Sequence, residues 1–135
     1  MNKYILLISV VIFSGCASFW DAPRNVVGVS TRALENARKD SVFQVYACEY
    51  ADCFNAVVDS AEKSKYIVFM KDQIRGLVVI MNIPGVVDTT EVGVFIAPLA
   101  NHKGVKVELS SRSTPARRAV AQILFTDLAA RFPKS

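Results

Sequence analysis

One histidine, His102, and three cysteines, Cys16, Cys48 and Cys53, are all that this 135-residue chain offers of the side chains most used for metals and nucleophiles. With no second histidine, neither a His-rich zinc site nor a His-paired nucleophile is supported. The cysteines form no Cys-x-x-Cys pair and no haem-attachment signature. There is no Lys/Arg block beyond doublets such as Arg117-Arg118, and the formal net charge is only +4. That charge is too small and too scattered for a nucleic-acid interface; Arg117-Arg118 reads as a solvated helix face. The longest apolar run, Tyr4 to Phe13, is about half the ~20 residues that a membrane-spanning helix needs. Repeats and low-complexity segments are lacking as well. The sequence therefore predicts no catalytic residues, no metal site and no dissociable cofactor.

What is present begins with the first sixteen residues. Lys3 supplies a positive n-region, Tyr4–Phe13 an apolar h-region, and Ser14-Gly15 the small residues of a cleavage site, which together make an export signal. Gly15-Cys16-Ala17 also fits an ordinary signal-peptidase site, which would release a soluble chain starting at Ser18. Phe13-Ser14-Gly15-Cys16 resembles the lipobox of bacterial lipoproteins, with Phe13 where that family usually has Leu. The resemblance implies diacylglycerol on the Cys16 thiol, cleavage before it and acylation of the new amine. Each buried CH₂ contributes roughly 0.8 kcal/mol, and stable anchoring takes two chains; a triacylated Cys16 would be held permanently. Ala17 rather than Asp after the cysteine implies, by the same resemblance, export to the outer membrane, facing the periplasm.

Removal of residues 1–15 leaves a length suited to one domain, with net charge about +3 once Lys3 is gone. An apolar content of 52 % with 21 % charged residues is that of a folding chain rather than a disordered one. Residues 16–29 read as a tether broken by Pro23, Asn25 and Gly28. Its Phe19 and Trp20 suit either the membrane interface or a dock on the domain. The domain is expected over 30–135.

Ser30 or Thr31 can cap a short helix over 32–38. The segment 41–47 is β-branched and aromatic, a first strand. Tyr50, Phe54, Val57, Val58 and Ala61 then recur on one helical face up to Lys63. Strands are predicted at 66–70, 77–81, 91–97 and 105–110, the last alternating Val105, Val107 and Leu109 against Lys106, Glu108 and Ser110. Thr114 as cap with Pro115 at the first helical position starts a closing helix to Arg131. Its inward stripe is expected at Ala116, Val120, Ile123, Leu124 and Leu128. The order (α)-β-α-β-β-β-β-α, with short turns between strands, gives an α+β fold: a two-layer antiparallel sheet with helices on one face.

Three stretches carry a further likeness: Gly28-Val29-Ser30-Thr31-Arg32-Ala33-Leu34-Glu35, Cys53-Phe54, and Glu108-Leu109-Ser110-Ser111-Arg112-Ser113-Thr114. On these the chain resembles small bacterial outer-membrane lipoproteins. The fold order is similar to the helix-grip domains of lipoproteins in the β-barrel assembly machinery. The likeness implies a family and no activity.

Four local features remain. Cys48 and Cys53 sit at a strand–helix junction; in an exported protein such a pair reads as a disulfide, with two free thiols or a redox role as the alternatives. Asp88 and Glu91 close a loop and suit turn chemistry more than a cation. Arg112-Ser113-Thr114 could hold an anion at a helix start, though a plain cap is simpler. The strands at 66–70, 77–81 and 91–97 are apolar on both faces, whereas a two-layer domain covers only one. Either the N-terminal segment covers the second face, or it meets an envelope protein partner or a second copy. Ile67, Phe69, Val78 and Ile80 are the candidate interaction set. The function expected is a membrane-anchored, non-enzymatic envelope module. A carrier of a small apolar ligand and a thiol–disulfide protein using Cys48 and Cys53 stand as alternatives.

Overall fold

The structure, a computed structural model, describes residues 31–135. Cys16, Phe19, Trp20 and the tether lie outside the described residues. Residues 31–36 are helical (α1) and tighten into a 3₁₀ turn, Ala37–Asp40. There follow β1 (Val42–Tyr46), α2 (Tyr50–Lys63), β2 (Ile67–Asp72), β3 (Leu77–Met81), β4 (Val92–Pro98), β5 (Val105–Ser110) and α3 (Thr114–Arg131). The α+β order expected from the sequence is the order found.

The strands form one five-stranded sheet in the order β1-β5-β4-β3-β2, every pair antiparallel. The β2–β5 run is a meander, and β1 joins it beyond β5 because α2 carries the chain back across the sheet. Two hairpins depend on local chemistry. In the β2–β3 turn, Asp72 Oδ1 accepts from the Ile74 and Arg75 amides at 3.1 and 3.0 Å. Gly76 follows at φ +69°, where a Cβ would lie 2.0 Å from the Ile96 carbonyl oxygen, so only glycine fits. In the β4–β5 turn, His102 takes φ +55° and donates its amide to the Leu99 carbonyl at 2.9 Å. The lone histidine is an exposed turn residue.

α2 and α3 cover one face. Between them and the sheet, Tyr46, Val57, Ile80, Leu109, Leu124 and Leu128 are at most 2 % exposed. Each contributes roughly 1.5–3 kcal/mol by burial. The α3 stripe is Ala116, Val120, Leu124 and Leu128, four residues apart; Ile123 is 43 % exposed, outside the stripe expected for it. The cap of α3 is also one residue earlier than expected: Ser113, not Thr114, accepts from the Ala116 amide at 3.2 Å.

The chain covers the middle of the second face itself. Leu34 of α1 packs with Leu77, Val79, Phe95 and Met70. Gly93 makes this possible, since a Cβ there would approach Leu34 Cδ1 to 3.1 Å. The Ser110 hydroxyl donates to the Leu34 carbonyl at 2.5 Å. Just beyond, Arg38 lies 4.4 Å over the Phe95 ring and grips Glu108 with two bonds, Nε to Oε1 at 3.1 Å and Nη2 to Oε2 at 2.9 Å. Ser41 Oγ donates to the same carboxylate at 2.8 Å and Lys106 Nζ sits 3.0 Å from it.

Candidate functional site

The interaction set read from the sequence splits in two. Val78 and Ile80 are 0 % exposed in the core beneath the helices, so they present no surface to a partner. Ile67 and Phe69 are 54 % and 50 % exposed. Ile67 pairs with Met81 and so lies on the face opposite Ile80, and beyond Val68, which pairs with Ile80, a β-bulge leaves Phe69 as the extra residue before Met70 pairs with Val79. A bulge reverses which residues face which layer. Val68 therefore packs on the core while Met70 joins the second-face cluster. Parity counted within each strand could not align β2 with β3 across the bulge.

Cys48 and Cys53 are brought side by side, within hydrogen-bonding reach of each other, but as two free thiols rather than a bridge. Cys53, in the first turn of α2, is fully buried and Cys48 half-buried. Cys48 Sγ also lies 3.8 Å from the Tyr46 carbonyl oxygen. Burial pushes both thiols up from their ordinary range, which suppresses the thiolate that redox catalysis needs. The Tyr46 hydroxyl beside them is pushed up to about 12, also by burial.

The polar candidates are engaged locally. Ser113 caps α3, and Ser111 Oγ donates to the Glu91 carbonyl at 2.6 Å while accepting the Ser113 amide at 3.1 Å. The hydroxyls near Arg112 thus serve the helix start, and Arg112 and Thr114 are exposed. Asp88 lies exposed in the loop and Glu91 is half-buried at its end. Among the described residues no three His, Cys, Asp or Glu side chains cluster as metal ligands.

A feature the sequence did not disclose lies between the edge strand β1 and α3. A groove of about 620 Å³ is lined by Val42 and Gln44 from β1 and by Arg117, Arg118, Ala121 and Phe125 among the α3 residues. No carboxylate lines it, and among the described residues neither arginine has an ion-pair partner. Two of its lining residues are tied together by the Tyr46 hydroxyl, which donates to Gln44 Oε1 at 2.9 Å and approaches the Phe125 carbonyl oxygen at 3.3 Å. The Arg117-Arg118 doublet was the only visible signal. That β1 is an edge, and that α3 runs beside it, comes from the sheet order.

One end of that edge is occupied. The Ala47 amide donates to the Pro133 carbonyl at 2.9 Å and the Ser135 amide to the Val45 carbonyl at 3.2 Å, around an antiparallel bridge of Tyr46 with Lys134. Outward-facing backbone groups therefore belong to the odd-numbered residues, and by alternation Phe43 is the next of them. No known protein family matches the chain, and neither does any curated protein.

Proposed function

We propose that this chain is a lipid-anchored, non-enzymatic module of the bacterial envelope that holds another envelope protein. The anchor is Cys16 and the orientation is towards the periplasm from the outer membrane. The observation that carries the interaction reading is the groove between β1 and α3, which sets an open strand edge beside two arginines lacking ion-pair partners among the described residues. The half-exposed Ile67 and Phe69 on the opposite edge strand supply a second surface. Apolar side chains form one cluster between sheet and helices, with the groove opening beside it at the edge strand, and both thiols of the cysteine pair are held protonated by burial. These two facts favour the module over the ligand carrier and the thiol–disulfide protein.

The test is site-specific photocrosslinking in intact cells, with the photoreactive residue at Gln122 beside the groove, at Phe69, or at Glu62 on the exposed side of α2. A discrete envelope-protein adduct from Gln122 or Phe69, absent from Glu62, is expected. No adduct, or the same adducts from all three positions, would contradict the module.

A further inference from the structure

The β1–α3 groove combines backbone, charge and precedent, and together these specify an occupant. The backbone contribution comes from β1, whose outer side is an edge; beyond Val45, the outward N–H and C=O of Phe43 have no strand partner among the described residues. Such groups pair best with an extended segment laid alongside. Precedent comes from residues 133–135, which already lie along the other end of this edge as an added antiparallel segment. The charge is that of Arg117 and Arg118, which line the groove with no carboxylate beside them. An added strand sends alternate side chains to opposite faces. One set would enter the groove against the guanidinium groups, and the other would lie over Phe43, which is 57 % exposed with Lys106 Nζ 4.6 Å from its ring.

We propose that this groove takes an extended acidic segment of another protein, added as a strand to the free end of β1 with its carboxylates against Arg117 and Arg118. The proposal rests on the reading of the domain as an interaction module and names the chemistry of its partner. A second copy of the chain fits less well. A two-fold pairing of β1 with β1 would set both α3 helices on the same side of one continuous sheet, with like-charged Arg117-Arg118 pairs facing each other across the axis.

The test uses the full lipidated chain, ¹⁵N-labelled in nanodiscs, and two short peptides: alternating threonine and glutamate, and alternating threonine and lysine. The glutamate peptide should shift the amide resonances of Phe43 and Gln44, and the lysine peptide should not. Arg117→Glu combined with Arg118→Glu should weaken that binding by about tenfold or more while leaving the melting temperature unchanged. Two forms of the glutamate peptide, N-methylated on one or the other alternate set of residues, should divide: one loses binding and one keeps it, because only one set of N–H groups faces β1.

Equal binding of both methylated forms would reduce the contact to charge alone and overturn strand addition. So would inorganic phosphate producing the same shifts. Absence of binding, shifts confined to β2, or concentration-dependent shifts at Phe43 without peptide would overturn the assigned occupant. If these fail while photocrosslinking from Phe69 still yields a discrete adduct, the module stands and only this groove's role falls.

Discussion

Glu108 is a carboxylate inside a sheet face, its side chain only 6 % exposed, and it survives there because cations and a hydroxyl reach it together. The bidentate hydrogen bond from Arg38, then those from Ser41 and Lys106, lower its pKa to about 2 against the opposing cost of burial. A depressed carboxylate stabilises the fold above its unfolded value near 4.5, and that contribution is lost as pH falls towards the folded value. Glu108→Gln should therefore cost about 2–3 kcal/mol at neutral pH. In melting curves taken from about pH 6 down to about pH 2, the gap between wild type and variant should close as pH falls. A gap independent of pH would place the stabilisation elsewhere. The cysteine pair is a second case at this scale. The thiols lie side by side, and we propose that an exporting cell joins them. Peptide mapping without reductant on chain recovered from the envelope should find Cys48 bridged to Cys53, and breaking so short a loop should cost about 2 kcal/mol. Free alkylation of both thiols in that folded, exported material would rule the bridge out.

Among the elements, β2 shows most clearly what burial and register decide separately. Val68 touches the core below the helices, while Phe69, one residue on, is the half-exposed residue of the bulge. Val68→Ser should lower stability by about 1–3 kcal/mol and Phe69→Ser should change it by less than about 0.5 kcal/mol. Thermal melts of the two variants compare them directly, and equal losses would mean that Phe69 is internal. The same strand marks the limit of what was legible. Apolar alternation and the turn residues at 71–76 were enough to place β3 and β5 at their observed ends and β2 within two residues. They also gave the ends of α3, because Pro115 and the hydroxyls before it announce a helix start. Cross-strand register is a property of two segments at once, so neither the pairing of Ile67 with Met81 nor the bulge at Phe69 can be read from one strand alone, and Val78 and Ile80 lie on the other face from Ile67. Ile123 is a related case: helical spacing admits it to the stripe, but α3 rests on the sheet along a line of residues four apart.

For the whole molecule, the second sheet face was ambiguous in sequence because its cover is built from mixed parts. Leu34 is apolar, but Arg38, Glu108 and Ser110 complete the seal with ion pairs and hydrogen bonds that hydropathy does not report. The groove was hidden for a different reason: it exists only because β1, first in the chain, pairs with β5, near its end, and so becomes an edge beside α3. Among the described residues no helix is long and apolar enough to cross a membrane. The attachment to the envelope that we propose depends on one residue, Cys16. Metabolic labelling with a palmitate analogue, comparing wild type with Cys16→Ala in the same cells, tests that dependence most directly. The account predicts label on the wild-type chain alone, with the variant accumulating as uncut or misprocessed precursor. Equal label on both chains would contradict it.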